Sequence, residues 1–383
     1  MAVDFGDLTI PGERGARSLR ALLNRVWPTY WHAYQSLGAH GEATRVFHAQ
    51  TRRTVDRQMA LDPRPVLLAL RRPPTAIAMG EAIRCMRSAA SADAHIAEVD
   101  CNLVADLAAR GLLPGGTVPI TRPGDAWPIV RGMNAGRAWH LDPAVESWVV
   151  SNGAVVDPHV GATETAYVPL GRNVSFATTD NNPDVRVSLH PERPQNTLDL
   201  GGRSVVDWTS ALSDAFAIVH EHLPEIADEM DVLLQLIVPV GSHDERHFSC
   251  SYENALGAIY LSLHPSVMTL AEALVHEFQH NKFHAALRTD DILANSRDAK
   301  YASPLRPDPR PLIGVLMAVH AYLPIALLYR RMTQARHPLA RSRDWALRLE
   351  QIESVNRDGI TTVRAGAQPT VRGRALIDGM LRT

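Results

Sequence analysis

The chain has 383 residues, of which 45% are hydrophobic and 21% charged, a composition typical of folded proteins and not of disordered ones. Lys and Arg (39) nearly balance Asp and Glu (41), so the net charge of -2 gives no support for nucleic acid as a partner. The length favours two or three structural units, at roughly 150 residues each.

The cellular location is predicted from cysteine usage and hydropathy. Three separated cysteines, Cys85, Cys101 and Cys250, argue against a disulfide framework and for a reducing compartment. The N-terminus has no basic and apolar signal segment. The most apolar window, Ile313 to Leu328, contains a histidine and a proline and is shorter than the ~20 residues that cross a bilayer. We therefore expect a soluble cytoplasmic protein with no membrane partner.

The first 195 residues divide into a helical region and a region of short strands. Apolar residues recur at intervals of three and four over Ala16–Val46 and Ala76–Ala109, which predicts a helical N-terminal region over residues 1–112. From there to residue 195, Gly, Asn, Asp and Pro separate short β-favouring runs, which predicts a segment rich in strands and loops over residues 113–195. The predicted strands include Ser147–Val150, Ala166–Val168 and Val185–Ser188.

The remaining residues, 196–383, are predicted to form the catalytic domain. The predicted helices are Ser204–Leu223, Pro224–Glu229, Thr269–Leu287, Pro311–Met332 and Arg341–Val355, and the predicted strands are Val232–Val240 and Ala255–Leu263. The fold class expected from this order is α+β and mainly helical.

One predicted helix carries an HExxH motif formed by His276, Glu277 and His280. Four residues make about one helical turn, so both imidazoles project from the same face and can bind one divalent cation, with Glu277 beside them. The preceding strand, Ala255–Leu263, is expected to be the edge strand of a zincin-like core, next to the metal-binding helix. The alternative is that the two histidines have only structural roles.

A metal site of this kind needs a third protein ligand. No Glu follows the motif before Glu350, which removes the usual acidic ligand of thermolysin-like enzymes. His320 is the favoured third ligand because it lies in an apolar predicted helix, and rigid helices place ligands well. His284 lies about 12 Å along the helix axis from His276, too far to share an ion with it. The other candidates are Asp290, Asp291, Asp298 and Asp308.

A proline-rich loop between the two helices holds Arg306 and Arg310 on either side of Asp308. Proline fixes the backbone φ angle, so this loop can hold a guanidinium group in place to bind a carboxylate through two hydrogen bonds. The alternative is a rigid entry to the next helix with arginines on the surface.

These blocks together resemble a known family. The runs AEALVHEFQHNKFHAAL and YASPLRPDPRPLIGVLMAVHAYL are similar to the HExxH-motif proteins of ribosomal peptide natural-product pathways, which are iron(II)- and 2-oxoglutarate-dependent peptide β-hydroxylases. The likeness covers about residues 200–335. Leu305 departs from the aromatic residue usual before the first arginine of the family signature.

The resemblance implies a dioxygenase that hydroxylates a side-chain Cβ of a precursor peptide, with a pathway maturase as a further partner. It implies that His276 and His280 bind iron(II), that Arg306 or Arg310 binds the distal carboxylate of 2-oxoglutarate, and that Glu277 orients a ligand or a water. Without the resemblance, a metal held by His276, His280 and His320 beside Glu277 predicts a zinc metallopeptidase in which Glu277 is the general base. A third alternative is a metal-free module that binds a leader peptide.

Overall fold

The structure is a computed structural model that describes residues 3–112, 117–121, 129–131, 133, 139–140, 147–151, 154–155, 166–186, 196–295, 299–303 and 308–382. The helices within these ranges are α1 (Gly15–Gln35), α2 (Glu42–Leu61), α3 (Pro63–Leu70), α4 (Pro73–Arg87), α5 (Asp93–Ala109), α6 (Val205–His222), α7 (Pro224–Leu233), α8 (Val267–Leu287), α9 (Leu312–Gln334), α10 (Arg343–Gly366) and α11 (Val371–Met380). The strands are β1 (Thr117–Thr121), β2 (Ile129–Val130), β3 (Trp139–His140), β4 (Ser147–Ser151), β5 (Ala154–Val155), β6 (Tyr167–Pro169), β7 (Ser175–Ala177), β8 (Leu236–Ser242), β9 (Ser249–Cys250), β10 (Ala258–Leu263), β11 (Lys300–Tyr301) and β12 (Arg310–Pro311).

The prediction of a mainly helical α+β protein is confirmed. The structure is 65% helical and contains a small mixed sheet. The helix that carries the HExxH motif begins two residues before its predicted start and ends at the predicted residue, Leu287. The predicted helix Arg341–Val355 is α10, which continues eleven residues further, to Gly366.

The central sheet has five strands in the order β6, β7, β8, β10, β9. Strands β7, β8 and β10 are parallel, whereas β6 and β9 are antiparallel to their neighbours. The prediction that the strand before α8 lies at the sheet edge is wrong. That strand, β10, lies between β8 and β9 and is buried along its whole length, and the outer strand is β9.

The segment 113–195 contributes to the same sheet as the residues that follow it. Its strands β6 and β7 join β8 through parallel pairing of Phe176 with Ile237. The strand predicted at Val185–Ser188 is wrong for residues 185 and 186, the part that the structure describes, because Pro183–Arg186 forms a 3-10 turn. In that turn the Asn182 side chain accepts a hydrogen bond from the Asp184 backbone (3.1 Å), as asparagine often does in turns.

Three polar contacts fix α8 against the sheet and the neighbouring helix. The Asn281 side chain accepts a hydrogen bond from Gly257 N (2.7 Å) and donates one to Ala258 O (2.9 Å) at the start of β10. One residue further along, Lys282 Nζ lies 2.6 Å from Glu229 Oε2 of α7, and both side chains are fully buried. These contacts orient the face of α8 that carries the histidines.

Helix α9 packs against α8 and forms part of the core. With 23 residues and a mean hydropathy of 2.0 in its most apolar stretch, it is long and apolar enough to cross a membrane, and longer than the sequence window suggested. However, 72% of that stretch is buried inside the protein, as in the core helix of a globular domain. Its burial therefore accounts for its hydropathy.

Candidate metal centre

The rings of His276 and His280 are in edge-to-face contact on one side of α8. Their centres are 4.5 Å apart and their planes are nearly perpendicular, at 84°. Two imidazoles that bind one ion at about 2.1 Å have ring centres roughly 5 Å apart, so the observed spacing is compatible with both rings binding one ion. The helical spacing of four residues produces this geometry, as the sequence predicted.

The protonation state of His280 suits a ligand. Burial lowers the pKa of His280 to about 4, so its imidazole is neutral at pH 7. Its Nδ1 atom is buried and has no hydrogen-bond partner among the described residues. A neutral imidazole with an available nitrogen lone pair is the form that binds a metal ion.

Glu277 lies on the side of α8 that faces the outer strand of the sheet. Its side chain is 3% exposed, and its Oε1 accepts a hydrogen bond from Ser249 Oγ of β9 (2.8 Å). The sequence did not single out Ser249, because β9 is only two residues long and lies 28 residues from the motif. The contact restrains the carboxylate next to the two histidines.

His320, the favoured third ligand, is engaged elsewhere. Its side chain is 1% exposed, its Nε2 donates a hydrogen bond to Leu8 O (2.9 Å), and its ring packs edge-on against Phe283. Burial lowers the pKa of His320 to about 3, so the ring is neutral. The Nε2 contact suits a structural role, whereas Nδ1 is buried and has no hydrogen-bond partner among the described residues, so the assignment of His320 as a ligand stays a prediction.

The acidic candidates do not complete the site either. Asp290 lies 2.9 Å from Arg372, and Asp308 lies 3.0 Å from Arg310. Asp291 is exposed, and Asp298 lies outside the described residues. Across the part of the chain that the structure describes, no three His, Cys, Asp or Glu side chains are grouped so that they could hold one metal ion.

The two arginines of the proline-rich loop stay predictions. Arg306 lies outside the described residues. Arg310 is half-buried in β12, two residues before α9, and is paired with Asp308. The pairing with Asp308 partly offsets the charge of Arg310.

A group of side chains beside His276 was missed by the sequence analysis. One turn before it on α8, Glu272 pairs with Arg348 of α10, at 2.5 Å, and accepts a hydrogen bond from Tyr329 of α9. Arg348 also interacts with Tyr322, whose ring centre lies 5.0 Å from that of His276. We call Glu272, Tyr322, Tyr329 and Arg348 the polar cluster. Burial raises the pKa of Tyr322, and the nearby Arg348 opposes that shift.

Comparisons with known sequences give no relative from which the site could be interpreted. The chain matches no protein-family model and no curated protein. The site must therefore be interpreted from its own residues and from the motif resemblance.

Proposed function

We propose that this chain is an iron(II)- and 2-oxoglutarate-dependent enzyme that hydroxylates a side-chain Cβ in a ribosomally synthesised precursor peptide. The observation that carries the proposal is the pair of perpendicular imidazoles, His276 and His280, 4.5 Å apart on one face of a buried helix. The reaction type comes from the resemblance of the HExxH and proline-rich blocks to the peptide hydroxylases.

The residues present fit a metal ion in part. His276 and His280 would hold it, and the depressed pKa of His280 keeps that ligand neutral. Iron(II), when bound, would supply activation of dioxygen coupled to the decarboxylation of 2-oxoglutarate. The overall reaction converts peptide, O₂ and 2-oxoglutarate to hydroxylated peptide, succinate and CO₂.

Glu277 would act as an orienting residue in this proposal. Its Oε1 atom is engaged by Ser249, and its carboxylate is nearly buried, which suits a group that holds a ligand or a water in place. A hydrolytic base must instead reach a water that attacks the substrate.

The distal carboxylate of 2-oxoglutarate needs a cationic partner. Arg306 and Arg310 are the candidates that the resemblance gives. Arg348 is a further candidate, because it belongs to the polar cluster beside His276 and its side chain is 39% exposed. The Glu272 carboxylate neutralises the charge of Arg348, so Arg348 would bind the co-substrate through directed hydrogen bonds. The Tyr322 hydroxyl can add a further hydrogen bond.

The sheet order supports a zincin-like core as part of this proposal. An antiparallel outer strand, β9, lies next to β10, and the chain then enters the HExxH helix α8. Because Ser249 of β9 contacts Glu277, a peptide bound alongside this strand would pass close to the histidine pair.

The second candidate is a zinc metallopeptidase. It is favoured by the same strand and helix order, which zinc peptidases share, and by the presence of a carboxylate between the histidines. In that case Glu277 would be the general base. It is the weaker candidate because a simple peptidase does not require the proline-rich block that holds Arg306 and Arg310.

The proposal is tested by incubating the anaerobically iron-loaded protein with precursor peptide, 2-oxoglutarate and O₂. The expected product carries one additional oxygen atom, and succinate forms in equal amount. Omission of iron or 2-oxoglutarate, or the change His276→Ala, should abolish both. Hydrolysis of a peptide bond by the zinc-loaded protein, with no hydroxylated product, would establish the peptidase instead.

A further inference from the structure

A cavity of about 380 Å³ opens at the end of the sheet where β7 and β8 begin. It lies where α3 ends, α4 begins and α5 ends, beside the turn between β6 and β7. No residue of α8 or α9 lines it, so it is separate from the histidine pair. Four arginines, Arg71, Arg72, Arg110 and Arg172, contribute to its wall, and we call it the arginine cavity.

The positive charge in the arginine cavity is only partly compensated. None of the described residues that line it is an Asp or a Glu. Two carboxylates lie near the wall: Asp106 Oδ2 is 3.8 Å from Arg72 Nε, and Asp231 Oδ2 is 4.0 Å from Arg172 Nη1. Buried cations that repel one another are costly to hold together unless an anion or a hydrogen-bond acceptor offsets the repulsion.

Arg71 and Arg72 each donate a hydrogen bond to a neutral acceptor. Arg71 Nη1 donates to Val232 O (3.2 Å), and its guanidinium stacks over the Trp27 ring, 5.1 Å from the ring centre. Arg72 Nη1 donates to the Gln235 side chain (3.0 Å), which donates in turn to Arg71 O (3.3 Å). The two guanidinium groups are therefore positioned without a carboxylate bound directly to Arg71.

Donor groups in the wall remain available. The Nε atoms of Arg71 and Arg110 are buried and have no hydrogen-bond partner among the described residues. Burial, reinforced by repulsion from Arg72 and Arg110, lowers the pKa of Arg71 to about 10, which still leaves it charged at pH 7. An unpartnered buried N–H costs free energy that an anionic ligand would recover.

From this geometry we infer that the arginine cavity binds a small polyanion that carries two or more phosphate or carboxylate groups. Its volume is that of a small-molecule site. Guanidinium groups match the geometry of both anion types through paired hydrogen bonds. The remaining lining residues, such as Leu68 and Val174, offer apolar surface for the body of the ligand.

The test uses isothermal titration calorimetry on the full chain in the presence of a chelator, with inorganic pyrophosphate and citrate in separate arms. We expect one binding site per chain for at least one of them, with affinity falling as salt is raised. Stronger binding of pyrophosphate would identify a phosphate ligand, and stronger binding of citrate a carboxylate ligand. Binding of neither would overturn the inference.

Variants assign the binding to the cavity. Arg110→Gln should weaken binding about tenfold. Arg172→Gln should weaken it less, and because the Arg172 side chain is 83% exposed, this variant keeps the test decisive if Arg110→Gln does not fold. The control Arg357→Gln, at an exposed position of α10, should bind as the unchanged chain does. If Arg110→Gln and Arg172→Gln bind the anion as tightly as the control Arg357→Gln, the inference is also overturned.

A last variant separates this site from the metal centre. The double change His276→Ala and His280→Ala should leave anion binding unchanged, because neither residue lines the cavity. If it removes anion binding, the anion binds at the histidines and the inference is wrong.

Discussion

Lys282 Nζ lies 2.6 Å from Glu229 Oε2, and both side chains are completely buried. The pair joins α8 to α7 two residues after His280. Burial raises the pKa of Glu229 and lowers that of Lys282, while the charge of each partner opposes those shifts. The placement of the α8 face that carries His276 and His280 therefore depends on an internal ion pair.

Removal of one partner of this pair should destabilise the fold strongly. Lys282→Met leaves a buried carboxylate without its cation and is expected to lower the free energy of unfolding by about 3–5 kcal/mol. Urea denaturation measures the change. The double variant Lys282→Met, Glu229→Leu should recover most of the loss, since two apolar side chains then replace the pair. A double variant as unstable as the single one would contradict this.

The sequence predicted the α8 face because its signal is local. His276 and His280 are one helical turn apart, so the helix alone brings the rings together. Strands β8 and β10 were likewise predicted from continuous apolar runs. The edge position was assigned wrongly because β9, with two residues, is too short to give a sequence pattern.

The rest of the site depends on contacts between distant segments. Arg348 is 76 residues from Glu272, and His320 is 312 residues from Leu8, its hydrogen-bond acceptor. Only the packing of α9 against α8 and α10 brings these groups together, and apolar periodicity does not define that register. For the same reason, the apolar character of the predicted helix around His320 could not show whether this histidine is a core residue or a metal ligand.

His320 should prove structural. His320→Gln is expected to lower the free energy of unfolding by about 1–3 kcal/mol, because a flexible amide replaces a ring that packs edge-on against Phe283 and donates to the Leu8 carbonyl in the core. Metal stoichiometry, measured by elemental analysis, should not change. If His320→Gln removes the metal while the chain stays folded, His320 is a ligand after all.

The same residue should make the metal-free protein sensitive to acid. Its pKa is about 3 in the folded chain and about 6.5 when unfolded, so only the unfolded state gains a proton as the pH falls below about 6.5. The contribution of the neutral His320 to the free energy of unfolding is therefore fully present above about pH 6.5 and is lost progressively as the pH falls toward 3. Between pH 7 and pH 4, His320→Gln should lose about 2–4 kcal/mol less than the unchanged chain in denaturant titrations. Parallel pH profiles would contradict the buried neutral histidine.

Glu277→Gln distinguishes the two candidate reactions. If Glu277 orients a group in a hydroxylase, the conservative amide should leave metal binding intact and lower kcat by about tenfold or less. If Glu277 is the base of a peptidase, the loss of kcat should be about 10²- to 10⁴-fold. Ser249→Ala, which removes the hydrogen bond to Glu277, is the matched variant and should have a similar small effect in the hydroxylase.

Metal binding by the histidine pair is measured most directly by anaerobic titration of the metal-free chain with iron(II), read out by elemental analysis after gel filtration. One ion per chain is expected, and His280→Ala should bind none, whereas the control His284→Ala, one turn further along α8, should still bind one. Retention of a full equivalent by His280→Ala, or no binding of iron(II) or zinc by the unchanged chain, would contradict a metal centre at His276 and His280.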